Sequence, residues 1–224
     1  MQTSTENRSG GPSIGTVYGV LLNDPATVAR MAASFDAPPY KAPPVAPVLY
    51  LKSRNTFAAD GAAVAVPSTP GEVRIDGTLG AVIGRTATRV DASDALSYVA
   101  GYLVASDVTL PHESYYRPAI RQRCRDGFCP MSEVVTGRAF DPAAAEVLIS
   151  IDGAVVHRRR LDRLVRDLPR LLADVTAFMT LSEGDVVLLG PPEGAPIAKP
   201  GSTVRVEVPG LAAVTHTVVE ETLS

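Results

Sequence analysis

The feature that most constrains this chain is the order of its apolar segments. Short strand-like runs follow one another with too few helices between them to build regular β–α–β units. Strands are predicted at 16–22 (TVYGVLL), 48–51, 73–83, 102–108, 147–151, 155–157, 186–189, 203–208 and 216–220. Only three segments read as helix. Asp24-Pro25 offers a capping side chain and then a proline at the first helical position, opening a helix to about Phe35. Asp91 and Asp94 flank the start of a short helix carrying Ala95, Leu96 and Val99. Leu161, Leu164, Val165, Leu168, Leu171, Leu172 and Val175 recur at helical spacing, with Pro169 requiring a kink or a late start. Asp152-Gly153 lies between two of the strands and suits the positive φ angles of a tight hairpin turn. Residues 37–47 hold five prolines and must be an extended connector. The expected fold class is therefore α+β, mostly β, and not a doubly wound sheet. Residues 1–14 are expected to be a disordered polar tail and 15–224 a single domain, and no internal repeat is visible.

Composition removes several classes of function. A net charge of -3 argues against nucleic acid and against an anionic membrane surface as partners. No apolar run approaches the ~20 residues of a membrane helix, and the first residues, MQTSTENRSGGPS, have no hydrophobic segment of a secretory signal. The two cysteines, Cys124 and Cys129, lie in one short segment, which excludes a disulfide framework or a four-cysteine zinc site. Free thiols in a cytoplasmic protein are expected.

Candidate chemistry concentrates between positions 106 and 130, SDVTLPHESYYRPAIRQRCRDGFCP. Most of this stretch is aperiodic, polar and aromatic, and long irregular segments in compact domains are commonly functional. Asp107 ends a predicted strand, where a side chain can be held at the rim of a pocket. His112 and Glu113 are candidate acid/base groups, since histidine titrates near neutrality and a half-buried carboxyl can be raised toward it. Arg117, Arg121, Arg123 and Arg125 place four guanidinium groups within nine residues. Such forks bind carboxylates bidentately, which points to a small polyanionic substrate. The alternative is a solvated basic loop, and charge alone does not decide between the two.

The segment AGYLVASDVTLPHESYYRPAIRQRCRDGFCP (100–130) resembles the central signature of the fumarylacetoacetate hydrolase family. PYKAPP (39–44), LKSRNT (51–56), GTLGAVIG (77–84), LSEGDVV (181–187), GPPEG (190–194) and KPG (199–201) follow in the order of that family, so the resemblance spans roughly 15–221. It is greatest to the N-terminal repeat or subunit of the family's isomerase/decarboxylase branch. What the resemblance implies is a mixed β-sandwich roll with a few short helices. The implied activity is decarboxylation and keto–enol or diene isomerisation of unsaturated oxo-di- and tricarboxylic acids in aromatic catabolism. The implied cofactor is a divalent metal, magnesium first with manganese or calcium as alternatives, held by Asp107 and Asp76. By the same resemblance Lys52, Arg123 and Arg125 would hold substrate carboxylates; the family's Arg-Asp after the metal aspartate reads Pro111-His112 here, so Glu113 and His112 as catalytic groups and Tyr116 as a substrate-binding residue rest on residue type and place in this segment. Pairing as a homodimer, or with a C-terminal-type paralogous subunit, is also implied. The chain departs from the family where a Glu-x-Glu pair of metal ligands is replaced by Asp76-Gly77-Thr78, so the ligand set is incomplete. It also lacks the family's His-and-Glu pair after the first strand. Two rival readings follow: a catalytically weak subunit that supports a competent paralogue, and a hydrolase of acylpyruvate carbon–carbon bonds.

Overall fold

The computed structural model describes residues 13–136 and 140–222. Most of the expected tail, residues 1–12, therefore lies outside the described residues. The fold is mostly β, built around two packed sheets. The first runs in the order Val48–Lys52, Val17–Leu21, Val186–Leu188, Val73–Ile83, Val99–Thr109 and Val135–Thr136, with Ile197–Ala198 also paired to Val73–Ile83. The second runs Ala154–Arg160, Glu146–Ile151, Thr203–Glu207, Val214–Glu220 and Ala63–Val66. A two-residue parallel pairing joins Phe57–Ala58 to Cys129–Pro130.

Local chemistry accounts for most of the elements. The helix Pro25–Phe35 is capped by Asp24, whose side chain accepts from the Ala26 N–H. Pro169 produces a late start and no kink: the helix spans Leu168–Thr176, with Asp167 as its cap and the proline in its first turn, where no N–H is needed. Upstream of this cap, 161–167 are not helical although they share its spacing. The short helix expected after Asp91 is a single 3-10 turn, Ala95–Tyr98, and neither aspartate caps it; Val99 already belongs to the next strand. Asp152 (φ 52°) and Gly153 (φ 82°) close the hairpin between Glu146–Ile151 and Ala154–Arg160.

The long hairpin formed by Val73–Ile83 and Val99–Thr109 carries the architecture. Alternation along it directs Ile75, Leu79, Ala81 and Ile83 into the main core together with Ile149, Val204 and Val206 of the second sheet. Gly77 lies on this inner face, where a Cβ would come 2.8 Å from Val206 and 2.9 Å from Ile149. The sheets approach that closely only because the side chain is missing. His216, on Val214–Glu220, meets Ser106 of the hairpin at 2.9 Å between the sheets and is itself buried. The opposite face of the hairpin packs Val82, Leu103 and Ala105 on Cys129 and Met131. Asp76 and Asp107 emerge on this second face, beneath the segment 110–128.

Candidate active site

Register decides what the two aspartates are. Asp76 and Asp107 are direct cross-strand partners, and both are fully buried. Like charges directly opposite one another repel, so this arrangement requires cations. Three are supplied. Arg74, two residues before Asp76 on the same strand face, donates from Nε to its Oδ1 at 2.8 Å and from Nη2 to its Oδ2 at 3.1 Å. Lys52, at the end of Val48–Lys52, places its ammonium 2.6 Å from Oδ1 of Asp107. Arg123, the last residue of the short helix Ile120–Arg123, reaches back between the acids, with Nη1 3.0 Å from Asp107 Oδ2 and Nη2 3.4 Å from Asp76 Oδ2. Tyr50 adds a short hydrogen bond from its phenol to Asp107 Oδ2, and the Arg123 guanidinium stacks 4.4 Å from the centre of the Tyr50 ring.

The protonation states follow from this packing. Burial pushes the Asp107 carboxyl up, but the ammonium of Lys52 and the guanidinium of Arg123 outweigh it and hold the group below its usual range. Burial, followed by the charge of Asp107, pushes the Tyr50 phenol well above its ordinary value, so it remains a donor. Burial would lower the Arg123 pKa, but Asp107, Tyr50 and Asp76 raise it.

The motifs LKSRNT and CRDGFC touch each other, and their contacts explain the residue types. The Lys52 ammonium gives its three protons to the carbonyls of Val108, Arg123 and Phe128 at 2.8, 2.8 and 2.9 Å. Its contact with Asp107 is therefore an ion pair with no N–H aimed at the oxygen. Asn55 donates to the Cys124 carbonyl and to Asp126 at 3.1 and 2.6 Å, while Gly127 (φ 72°) donates to the Asn55 carbonyl. Together they clamp the loop that presents Arg123.

Outside this buried cluster lies a cavity of about 330 Å³. Its walls include Tyr50, His112, Tyr115, Tyr116, Arg117 and Arg123. Its aromatic wall is tied to the proline-rich connector, because Tyr40 accepts from the Tyr115 N–H at 2.9 Å and packs edge-on against Tyr116, ring centres 6.0 Å apart. His112 Nδ1 contacts the Ser114 carbonyl at 3.2 Å, while Nε2 is buried without a protein partner. Burial first, then Arg123 and Arg74, hold its pKa below the ordinary value, so the ring is neutral at physiological pH. The Nε of Arg123 is likewise buried and unpartnered.

The structure thus brings together Asp76, Asp107, Lys52 and Arg123, and places His112 and Tyr116 on the cavity wall. Lys52 is wholly buried and does not line the cavity. Arg125 turns away to grip Glu221 at 2.6 and 2.8 Å, and Glu113 is exposed beyond the lining. Tyr50 and Arg74 escaped the sequence reading. Each sits two residues before a singled-out position, Lys52 and Asp76, and the period of a strand puts such neighbours on one face. Cys124 and Cys129 are free thiols, the second buried and pushed up to about 12 by its burial.

The donor set does not fit a divalent cation. Each of the four carboxylate oxygens of Asp76 and Asp107 already faces a resident cation, and Lys52, Arg74 and Arg123 against two aspartates leave one net positive charge. Among the described residues no group of three or more His, Cys, Asp or Glu side chains could hold a metal ion. Hard cations need several oxygen ligands, and Thr78 lies where a second acid of the pair would stand.

Comparison with known proteins agrees with this architecture. A family model described as fumarylacetoacetate (FAA) hydrolase C-terminal matches residues 16–219. The chain is 38% identical over 208 residues to the 4-hydroxyphenylacetate degradation bifunctional isomerase/decarboxylase of Escherichia coli, an alignment taking in 92% of this chain and 48% of that protein. It spans about half the length of that relative. Among solved structures, a 5-carboxymethyl-2-hydroxymuconate delta-isomerase from Mycobacterium smegmatis superposes with TM-score 0.78 at 29% identity, over 95% of this chain and 81% of that one. A fumarylpyruvate hydrolase from Pseudomonas aeruginosa, solved with Mn2+ and pyruvate, shares the fold with TM-score 0.78 at 23% identity, over 94% and 91% of the two chains. From the hairpin that carries the acids to the clamped loop above them, this chain belongs to the fumarylacetoacetate hydrolase family.

Proposed function

We propose that this chain is an isomerase/decarboxylase subunit acting on small unsaturated oxo-di- and tricarboxylic acids of aromatic catabolism. The observation that carries this reading is the cavity beside the buried ion cluster, where a neutral histidine, two arginines and three tyrosines converge. Its volume is at the lower end of ligand pockets, which suits a compact acid. Arg117, exposed at the mouth, attracts a distal carboxylate, and Tyr115 and Tyr116 stack against a conjugated chain. Arg123 offers its unpartnered Nε to the oxygen on which charge develops. In isomerisation of a 2-hydroxy-2,4-diene acid, His112 Nε2 takes the enol O–H proton. Charge develops on the oxygen facing Arg123, the C=O re-forms as the diene electrons shift along the chain, and the imidazolium returns the proton at the far carbon of the conjugated system. In decarboxylation the same oxygen receives the electron pair of the breaking C–C bond as carbon dioxide leaves. No step uses a metal ion. Lys52, Asp76 and Asp107 hold Arg123 in place and do not meet substrate. The names of the Escherichia coli and Mycobacterium smegmatis relatives support this assignment.

The ion-paired acids and the half-length match also favour a second reading, a weak subunit that pairs with a competent paralogue. One experiment separates the two. The purified chain is given a 2-hydroxy-2,4-dienedioate and loss of the dienol absorbance is followed, alone and mixed with a paralogue. Turnover by the chain alone, lost in His112→Gln, supports the first reading. An inert chain that raises the partner's rate supports the second. Release of pyruvate from an acylpyruvate would replace both with hydrolysis.

A further inference from the structure

The buried cluster raises the question of what holds negative charge in the cavity if no divalent ion does. We infer that the guanidinium of Arg123, clamped between Asp76 and Asp107, does the electrostatic work of a metal ion, so that the cavity binds small dicarboxylates without any metal.

Three observations carry this. Arg123 spans the two cross-strand carboxylates through Nη1 and Nη2, so one oxygen of each acid orients a fixed cation. Of its further donors, Nε is buried with no protein partner, and the residue lines the cavity. The cluster has a net positive charge even with both acids ionised, because Lys52 and Arg74 accompany Arg123. A buried unpartnered N–H is costly unless a ligand or water satisfies it, and a carboxylate oxygen is the acceptor that gains most from a charged donor. A second donor is available at the mouth, where Arg117 is exposed. A divalent ion placed among these groups would be repelled by three cations, and the carboxylate oxygen that accepts no hydrogen bond, Asp107 Oδ1, already lies 2.6 Å from the Lys52 ammonium. The arrangement is built to attract anions. This inference does not depend on which reaction follows binding.

Oxalate is the probe. Calorimetric titration of oxalate into the intact chain, first with EDTA and then with one equivalent of Mn2+, is expected to return the same affinity within twofold once the free oxalate is corrected for its solution complex with Mn2+. Arg123→Gln should weaken it at least tenfold in both solutions. Because that variant removes a buried charge and can fail to fold, Arg117→Gln, which leaves the cluster intact, makes the same comparison: a weakening of about threefold, equal with and without Mn2+. In parallel, the paramagnetic resonance signal of aqueous Mn2+ should be unchanged by the wild-type chain. Oxalate binding that requires Mn2+, no oxalate binding in either solution, or loss of the aqueous Mn2+ signal that Asp107→Asn restores would each overturn the inference. Turnover plays no part in these readouts, so their failure is distinct from failure of the proposed reaction.

Discussion

Replacing Lys52 with methionine isolates one contact set in the buried cluster, because methionine fills nearly the same volume as the lysine stem while removing the charge. The ammonium holds three backbone carbonyls at 2.8–2.9 Å and Asp107 at 2.6 Å, all out of reach of solvent. Breaking a buried pair by deleting one partner costs roughly 3–5 kcal/mol. Asp107 would keep Arg123 and Tyr50, and the Phe128 carbonyl would keep the N–H of Val108. These survivors place the expected loss near the lower limit, about 3 kcal/mol, a large share of the 5–15 kcal/mol typical of a domain. The chain has no tryptophan, so urea unfolding is followed by far-ultraviolet circular dichroism at constant m value. Asp107→Asn and the double variant complete a cycle. Each single change removes one end of the Lys52–Asp107 ion pair and the double change removes both ends of the same contact, so the double variant should lose less than the sum of the singles by at least about 1.5 kcal/mol. A Lys52→Met loss under about 1 kcal/mol, or strict additivity, would show that the cluster is not electrostatically coupled as described.

Other consequences are smaller in scope. His216 is buried between the sheets with its pKa lowered from 6.5 to about 4 by burial. The unfolded chain therefore binds the extra proton first: stability present above pH 6.5 is lost as pH falls toward 4, by about 3 kcal/mol at 1.36 kcal/mol per pH unit. Denaturation across that window should show this slope, and His216→Gln should reduce it. A Cβ at Gly19 would fall on the Tyr50 ring, so Gly19→Ala should cost about 1–3 kcal/mol by thermal unfolding and disturb the near-ultraviolet tyrosine signal. If His112 moves the proton, His112→Gln should slow isomerisation by about 10²–10⁴-fold while leaving the melting curve intact, and the wild-type rate should fall only below the ordinary histidine range, because its pKa is lowered. Thiol titration with Ellman's reagent should modify Cys124 first, with Cys129 reacting only on unfolding, since it is buried and pushed up to about 12.

Much of the fold could be read from the chain because it rests on short-range chemistry. Asp24 caps its helix, Pro169 sets a helix start, Asp152-Gly153 turns a hairpin, and alternation marks Val73–Ile83. Each depends on neighbours within a few residues, where periodicity and backbone preference act. Ala63–Val66 was missed for the same reason. Four small residues carry little periodic signal, and the strand exists because Val214–Glu220 pairs with it in parallel. The site was legible only in part. Its residues cluster along the sequence, and Asp107, Arg123 and His112 could be picked out by type. What the sequence alone could not determine is that Asp76 lies directly opposite Asp107, that Arg123 folds between them while Arg125 turns to Glu221, and that Lys52 spends its protons on backbone carbonyls. Those outcomes depend on strand register and on the reach of long side chains across segments far apart in the chain. Tertiary packing therefore decided that Asp76 and Asp107, far apart in the chain, share one guanidinium.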